Sequence, residues 1–365
     1  MNCDEIIIGS QWTNIWAKKG QRKVIDIIKL VDFNHDHIQK ALEIAMANYE
    51  EERHLLPILP KVDELPDLTH FADNQLGVAA FDGGKMVGFL CAYYPREDAF
   101  GTTNVKGTFT PIHAHGVINI HGKATFGGTA DETVNYRNRI YSLLYQKAAK
   151  KWVREGILSH GIALYPNDKE AVNSFFYNGF GLRCIDAIRS LEDIPSFEYK
   201  LQNIKEHLEY CEVPREDYRL LLKLSNELSA HLGNSPTFMK FDPINEEELY
   251  RRSPEGVRYF AVKTEGYYIA YVKVSAEGEN FVTENNRMMN ICGAYCDPEY
   301  RETGVYHNLL CHLMTVLNKD GYQLLGVDCE SFNPTARGFW LKYFTEYTHS
   351  VVRRIDDKAI GGNRE

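Results

Sequence analysis

The alternation of apolar and polar residues predicts strands and helices in a fixed order through the first half of the chain. The turn Asp82-Gly-Gly84 between two apolar runs is typical of a β-hairpin. In chain order the pattern predicts a strand over Lys23–Leu30, a helix over Ile38–Met46, strands over Gly77–Phe81 and Met86–Tyr93, a helix over Arg139–Val153, a strand over Gly161–Tyr165 and a helix over Glu170–Tyr177. Asn34–His37 supplies helix-capping residues before the first helix.

The second half repeats this order. The pattern predicts a strand near Tyr210, a helix over Tyr218–Leu228, a hairpin of Tyr259–Lys263 and Tyr268–Val274, a strand over Met288–Tyr295, a helix from Tyr306, a strand over Leu324–Asp328 and a helix over Ala336–Tyr343. Short segments also match, since Ile140-Tyr-Ser-Leu-Leu corresponds to Val305-Tyr-His-Asn-Leu-Leu. We infer an internal duplication with domains at 1–200 and 201–365, joined within the polar stretch Ser190–Lys205.

Composition narrows the class of protein. The 365 residues are 44% hydrophobic and 12% aromatic, enough for two cores, and the net charge of −9 argues against nucleic acid or an anionic membrane as partner. The eight cysteines are scattered in apolar contexts, so we interpret them as reduced thiols. With no membrane-spanning run and no leader sequence, the sequence predicts a cytoplasmic protein.

The segment Asp297–Tyr306 carries the clearest chemical signal. It lies between an apolar strand and an amphipathic helix, and Gly304 allows the loop to turn its N–H groups toward the start of that helix. Backbone amides, the helix dipole and the guanidinium of Arg301 together favour a phosphate group. The alternative interpretation is an ordinary strand-to-helix turn that contains a glycine.

Two motifs in this half resemble those of the GCN5-related N-acetyltransferase (GNAT) superfamily. The acyl-coenzyme A loop of that family, Arg/Gln-x-x-Gly-x-Gly/Ala, is similar to Arg301-Glu-Thr-Gly-Val-Tyr306, and its later motif Asn-x-x-Ala-x-x-Phe-Tyr is similar to Asn333-Pro-Thr-Ala-Arg-Gly-Phe-Trp340. The duplication resembles tandem members such as mycothiol synthase. The resemblance implies an α/β fold of two tandem GNAT-type domains, each a twisted mixed α+β sheet flanked by helices.

The resemblance also implies a ligand and its binding residues. Acetyl-coenzyme A would be the co-substrate, and no metal is implied. Main-chain groups near Ala294–Cys296 would contact the pantetheine arm, where the strand is expected to separate from its neighbour. The implied cofactor-binding residues are Tyr295, Cys296, Arg301, Glu302, Thr303, Gly304, Val305, Tyr306, Asn333 and Trp340. Asn333 before a proline is also a natural helix start, and Trp340 is also an ordinary core residue.

The chain departs from the family pattern at three places. Tyr306 replaces the third small residue of the loop, and Trp340 stands where many members have a tyrosine that protonates the leaving thiolate. In the first half, Arg139 within Tyr136–Tyr141 occupies the position of the loop glycine. We therefore expect the first half to bind coenzyme A poorly or not at all and the second to be active.

Transfer to an amine needs a base, because an ammonium has no lone pair, and a proton donor for the thiolate. Asp328 and Glu330 share one face of the predicted strand and are the candidate bases; a salt bridge or helix cap is the alternative role for each. Tyr343 is the candidate for the missing acid and Tyr347 is a second possibility, although each is also an ordinary amphipathic aromatic residue.

In the first half, His113-Ala-His115 places two imidazoles on one strand face. A zinc site is one interpretation, but no acid or cysteine follows at ligand spacing, so we expect His115 to line a substrate pocket. The leading hypothesis is acetyl transfer to a primary amine of a small molecule or peptide, directly within a ternary complex. The alternative is a catalytically silent acyl-coenzyme A sensor or scaffold module. The sequence does not indicate the oligomeric state.

Overall fold

The computed structural model describes residues 28–101, 104–119, 130–192, 194, 201, 204 and 206–360. The strands described in the first half are β1 (Lys29–Asp32), β2 (Val78–Asp82), β3 (Lys85–Leu90), β4 (Gly107–Thr110), β5 (His115–Val117), β6 (Ser159–Leu164) and β7 (Gly181–Ser190). The helices are α1 (Ile38–Leu55), α2 (Thr69–Asp73), α3 (Ala130–Arg154) and α4 (Lys169–Tyr177).

The second half follows the same plan. Its described strands are β8 (Glu209–Val213), β9 (Arg258–Thr264), β10 (Tyr267–Ser275), β11 (Met288–Cys296), β12 (Leu324–Glu330) and β13 (Thr345–Arg354). Its helices are α5 (Leu222–Gly233), which a short 3-10 helix over Arg215–Leu221 precedes, α6 (Glu246–Arg251), α7 (Val305–Lys319) and α8 (Pro334–Trp340).

The strands form two sheets. One has the order β1-β2-β3-β5, and the other has the order β4-β6-β13-β7-β12-β11-β10-β9-β8. In the larger sheet, β4 runs parallel to β6 and β11 runs parallel to β12, whereas the remaining pairs are antiparallel. Parallel and antiparallel pairs thus combine in a mixed sheet flanked by helices. This is the α/β fold that the family resemblance implies for two tandem GNAT-type domains.

The two halves exchange their last strands. Strand β7 of the first half pairs with β12 of the second, and β13 of the second half pairs with β6 of the first. The two exchanged strands also pair with each other. The boundary at residue 200 stays a prediction, since most of the expected join lies outside the described residues; the pairing nevertheless ties residues 181–190 to the second half.

One long amphipathic helix covers a sheet face in each half. In the first, Leu144 and Trp152 of α3 pack with Val87 of β3, and the indole N–H of Trp152 donates to the carbonyl of Leu76 over 3.0 Å. In the second, Leu309 and Leu313 of α7 pack against β9, β11 and β12. Each fully buried leucine contributes about 1.5–3 kcal/mol relative to an exposed one. These contacts fix where the start of α7 meets the sheet.

The predicted hairpin lies where the sequence places it, with Gly83 and Gly84 both at positive φ in the turn between β2 and β3. Strand β1 begins at Lys29, and residues 23–27 of the strand predicted there lie outside the described residues. None of the helices in the described ranges combines the length and the apolar character that a membrane-spanning helix needs.

Candidate active site

The loop before α7 has the backbone geometry of an anion-binding turn. Glu302 and Gly304 have φ values of 63° and 94°, and α7 begins at Val305 directly after Gly304. The N-cap residue Gly304 has no side chain that could cap this helix start, and the N–H of Val305 donates to the hydroxyl of Thr303 only over the long distance of 3.5 Å. The helix start is therefore weakly capped, and the helix dipole favours an anion there.

Arg301 and Thr303 hold the loop against the end of β11. The Nε of Arg301 donates to the carbonyl of Cys296 over 2.9 Å, and its guanidinium lies 5.5 Å from the centre of the Tyr295 ring. The hydroxyl of Thr303 donates to the carbonyl of Tyr300 over 2.6 Å. The predicted cofactor residues Tyr295, Cys296 and 301–306 thus lie along one continuous corner between β11 and α7.

The strands on either side of this corner separate. Strand β11 pairs with β12 from Met288 opposite Leu324 to Ile291 opposite Val327. Beyond that point β11 continues in register with β10 alone, and β12 continues in register with β7 alone. The edge of β11 that faces β12 after Ile291 is therefore without a strand partner in the described structure, and an extended ligand could hydrogen-bond to it.

The later motif has mainly structural contacts. The Oδ1 of Asn333 accepts a hydrogen bond from the N–H of Ala336 over 3.2 Å and caps α8. Trp340 is 4% exposed and belongs to the core under α7. The ring of Tyr306 packs edge-on against Trp340 and Phe339, and its hydroxyl donates to the carbonyl of Tyr271 over 3.1 Å. Tyr306 therefore forms part of the wall at the start of α7.

A cavity of about 290 Å³ lies at the point where the strands separate. It is lined by main-chain and side-chain atoms of β7, β10, β11, β12 and β13 and of the segments that precede β9 and follow β10: Asp186, Arg252, Pro254, Val257, Lys273, Ser275, Glu277, Gly278, Glu279, Thr283, Asn290, Ile291, Cys292, Val327, Asp328 and Tyr347. Val327 and Cys329 pack toward α7, so by alternation Asp328 points to the opposite sheet face, into the cavity. The cavity thus lies on one side of the gap between β11 and β12, and the start of α7 lies on the other side.

Two aspartates stand side by side in this cavity. Asp328 of β12 and Asp186 of β7 are direct cross-strand partners. The side chain of Asp328 is exposed to the open cavity. Partial loss of hydration between the cavity walls, together with the negative charges of Asp186, Glu279 and Glu330, raises its pKa to about 7. An aspartate with a pKa near neutrality exchanges protons readily at physiological pH.

Asp186 is held by neutral hydrogen-bond donors. It accepts hydrogen bonds from the hydroxyl of Thr348 and, over 3.3 Å, from the amide of Asn280, which also donates to the hydroxyl of Tyr347 over 3.1 Å. Burial raises the pKa of Asp186 to about 6, although the Thr348 hydrogen bond opposes that shift. Sequence reasoning missed Asp186 as a site residue. Its available signal was a carboxylate inside the apolar run Cys184–Ile188, where an unpaired charge is costly.

The other two catalytic candidates lie away from the cavity lining. Glu330 Oε1 is 3.6 Å from Arg183 Nη2, and burial raises the pKa of Glu330 while Arg183 opposes the shift. The hydroxyl of Tyr343 is 2.7 Å from Nδ1 of His307, on the side of the sheet that carries α7. Arg183 is therefore the partner that the salt-bridge alternative for Glu330 requires, and Tyr343 has a histidine neighbour.

His115 lies in the first half and is 4% exposed. Its Nε2 donates to the carbonyl of Ala163 over 2.7 Å, and burial lowers its pKa. It is not part of the lining of the cavity beside Asp328. Within the described residues, no three His, Cys, Asp or Glu side chains group as metal ligands.

The segment Tyr136–Tyr141 of the first half lies inside α3, which is already helical from Ala130. Its amides are therefore engaged within the helix rather than free at a helix start. Arg137 is 7% exposed and forms ion pairs with Asp168 at 2.7 Å and Glu51 at 3.2 Å. The hydroxyl of Tyr141 donates to the same Asp168 over 2.9 Å.

Part of the second half of the chain matches the model of a known protein family. Residues 223–344 match the model of the acetyltransferase (GNAT) family, a range that contains the loop, the separated strands and Asp328. No curated protein matches the sequence.

Several solved structures resemble the chain at low sequence identity. A GCN5-related N-acetyltransferase from Sphaerobacter thermophilus is 10% identical, with a TM-score of 0.49 over 90% of this chain and 95% of that one. A GNAT-family acetyltransferase from Colwellia psychrerythraea is 11% identical, with a TM-score of 0.41 over 90% and 100%. A tandem GNAT protein from the clavulanic acid biosynthesis pathway is 11% identical, with a TM-score of 0.38 over 90% and 98%.

Proposed function

We propose that the second half of the chain, whose residues 223–344 match the acetyltransferase (GNAT) family model, transfers an acetyl group from acetyl-coenzyme A to a primary amine. The observation that carries this proposal is the separation of β11 and β12 after Ile291, directly beside the Gly304 loop. The separation exposes a strand edge, and the loop presents a helix start. Together they fit a long ligand that has a phosphate at one end.

In this proposal, different residues of the corner between β11 and α7 bind different parts of acetyl-coenzyme A. Val305 and Tyr306 offer backbone N–H groups for the pyrophosphate, and Arg301, with Glu302 and Thr303, shapes the turn that presents them. The open edge of β11 near residues 294–296, where the carbonyl of Cys296 already accepts from Arg301, hydrogen-bonds the amides of the pantetheine arm. Acetyl-coenzyme A supplies an activated thioester, and the chain orients it toward the cavity.

Asp328 acts as the base in this proposal. It takes a proton from the incoming ammonium, and the freed lone pair forms a C–N bond to the thioester carbonyl carbon while the C–S bond breaks. The thiolate accepts a proton, for which Tyr343 beside His307 is the proposed donor. The newly bonded nitrogen releases its second proton to solvent water, and Tyr343 regains a proton from water, so the products are the amide and the free thiol. Transfer is direct within a ternary complex, so no acyl-enzyme forms.

A turnover assay tests the proposal. The full chain is mixed with acetyl-coenzyme A and a panel of primary amines, and release of the free thiol is followed alongside calorimetric binding of the cofactor. We expect binding and thiol release with at least one amine. Cofactor binding without thiol release on any amine would instead support a silent acyl-coenzyme A sensor, and absence of cofactor binding would contradict both functions.

A further inference from the structure

The cavity beside Asp328 carries opposite charges on its two sides. Lys273 of β10, Cys292 of β11 and Asp328 of β12 all belong to its lining. The register of β11 with β10 and with β12 places these three residues in one row across the sheet. Because adjacent strands lie about 4.8 Å apart, the backbones at the two ends of this row are at least about 10 Å apart. A carboxylate and an ammonium group thus flank the thiol of Cys292.

The thiol of Cys292 is within electrostatic reach of both charges. Burial raises the pKa of this thiol, Lys273 lowers it and Asp328 raises it. On the side of Asp328, its cross-strand partner Asp186 adds a second carboxylate, which is 9% exposed. The side of the cavity at β7 and β12 is therefore negative, and the side at β10 is positive.

Lys273 has no counter-ion among the residues that the structure describes. Its ammonium group donates to the main-chain carbonyl of Arg252 over 2.6 Å and lies 5.9 Å from the centre of the Tyr259 ring. Arg252 is already paired, since its Nε lies 2.5 Å from Oε1 of Glu248, which is outside the lining. An ammonium group has three donors, so Lys273 can also bind a ligand that carries a negative charge.

A buried amide next to Lys273 also lacks a partner. Asn290 is 7% exposed, and its Nδ2 has no hydrogen-bond partner in the described part of the chain. A Cβ added to Gly278 in the cavity lining would lie 3.1 Å from this nitrogen, so the amide is directed toward the cavity. Asn290 pairs with Ser275, two residues along β10 from Lys273, so Asn290 and Lys273 are diagonal neighbours about 7–8 Å apart. Both groups are donors, and a hydrogen-bond acceptor between them would satisfy both.

Two further carboxylates of the lining, Glu277 and Glu279, follow β10 and are exposed. Water screens their charges more than it screens a charge between the cavity walls. Glu279 acts on the pKa of Asp328 and so adds to the negative side. These two residues therefore do not replace the missing acceptor beside Lys273 and Asn290.

Size and polarity together limit what the ligand can be. A volume of about 290 Å³ is at the small end of the range for ligand pockets, roughly 300–1,000 Å³, and a short acyclic molecule fits it. A second ammonium group would repel Lys273 and could not accept a hydrogen bond from Asn290. A plain alkyl chain would leave both donors unpaired.

We propose that the acetyl acceptor is a small ω-amino carboxylate, with its amine against Asp328 and its carboxylate between Lys273 and Asn290. This inference rests on the proposed acetyl transfer by the second half. The amine gives a proton to Asp328 and forms the C–N bond while the C–S bond breaks, so the products are the N-acetyl amino carboxylate and the free thiol. The carboxylate takes no part in the chemistry and holds the amine in place.

Acceptors with four carbon atoms test this proposal. The four are 4-aminobutanoate, 2-aminobutanoate, butylamine and 1,4-diaminobutane, each assayed for thiol release with saturating acetyl-coenzyme A. We expect kcat/KM for 4-aminobutanoate to exceed that for each of the others by about tenfold or more, which corresponds to about 1.4 kcal/mol. Equal or better use of any of the other three would overturn the proposal, and this series on the wild-type chain needs no variant.

A variant locates the carboxylate of the acceptor. Lys273→Met removes the ammonium group and keeps a side chain of similar length. It should raise KM for 4-aminobutanoate by about tenfold and reduce the advantage of this acceptor over butylamine. The control is Lys263→Met on β9, a half-buried position outside the cavity lining, where we expect the preference to stay as in the wild type. An undiminished preference in Lys273→Met, with acetyl-coenzyme A still bound in calorimetric titration, would contradict the assignment.

Failure of this inference differs from failure of the proposed function. Thiol release with butylamine or 1,4-diaminobutane, without a preference for 4-aminobutanoate, would leave acetyl transfer intact and remove the amino carboxylate. No thiol release with any amine would remove the transfer itself and this inference with it.

Discussion

In the second half the parallel strands β11 and β12 separate after Ile291 and Val327, whereas in the first half a histidine bridges the corresponding gap. There, β4 runs parallel to β6 from Gly107 to Thr110, and the chain then turns so that β5 pairs with β3 instead. The ring of His115 on β5 spans the resulting space and donates to the carbonyl of Ala163 on β6. One gap is open along a strand edge, and the other is filled by the protein itself.

The first turns of α3 and α7 also differ: that of α7 is open to a ligand, whereas the corresponding segment of the first half is not. Gly304 at a φ of 94° directly precedes α7, while the corresponding segment of the first half lies inside α3, with Arg137 buried in ion pairs. The two halves thus share the order of their elements but differ at the helix start that faces the gap between strands. We propose that the second copy keeps the cofactor site and that the first supplies β7 and its Asp186 to the acceptor cavity.

The largest expected effect follows from Gly304→Val. A β-branched residue is strongly disfavoured at a φ of 94°, and the loop would have to rearrange away from the geometry that presents its N–H groups. We expect acetyl-coenzyme A binding to fall by more than about 100-fold in calorimetric titration, and turnover to fall with it. Gly321→Val is the control, because Gly321 has a φ of 95° at the other end of α7. Undiminished binding in Gly304→Val would place the cofactor in the first half.

Asp328→Asn tests whether chemistry, as well as binding, belongs to the second half. Loss of a general base typically costs about 100-fold or more in kcat, with the cofactor dissociation constant little changed. Since the base acts deprotonated and its pKa is raised to about 7, wild-type kcat/KM should fall as pH decreases below about 7. Glu330→Gln is the matched control. A larger loss in Glu330→Gln than in Asp328→Asn would transfer the role of base to Glu330.

Arg137→Met tests whether the ion pairs of the first half serve stability alone. Removing one partner of a buried pair typically costs about 3–5 kcal/mol, because Asp168 then stays buried without its cation. We expect a lower unfolding midpoint in denaturant and an unchanged dissociation constant for acetyl-coenzyme A. Arg139→Met, at an exposed position on the same helix, should change neither quantity. Weakened cofactor binding by the folded Arg137→Met chain would give the first half a binding role.

The smallest effect concerns the exchanged strand. In Asp186→Asn one negative charge beside Asp328 disappears, so the pKa of Asp328 should decrease. We expect the pH midpoint of kcat/KM for a monoamine acceptor to move downward by about one unit or less. An unmoved or raised midpoint would separate Asp186 from the reacting centre.

The sequence was sufficient for the hairpins, the long helices and the loop at Gly304, because each depends on local periodicity or on a glycine in a turn. The separation of β11 from β12 was expected from the family resemblance alone, and the pairing register agrees with it. The hairpins, the helices and the Gly304 loop each involve residues that are close together in the chain, whereas β11 and β12 are not.

The periodicity of the sequence did not predict that the two halves exchange strands. Strands β7 and β13 pair with partners far away in the chain, and the stability of a strand depends on its neighbours more than on its own composition. Asp328 and Glu330 share one strand face, and only the pairing register distinguishes them: Asp328 lies opposite Asp186, whereas Glu330 lies opposite Cys184 and near Arg183. The site residues proposed from the sequence stay predictions that the variants above test.

The difference between the two halves is tested most directly by the stoichiometry of cofactor binding. Isothermal titration of the wild-type chain with acetyl-coenzyme A should give one molecule bound per chain, because we expect only the Gly304 loop to provide a site. Two molecules per chain, with comparable or distinct affinities, would contradict the account, since the first half would then bind the cofactor despite His115 and the helical segment Tyr136–Tyr141.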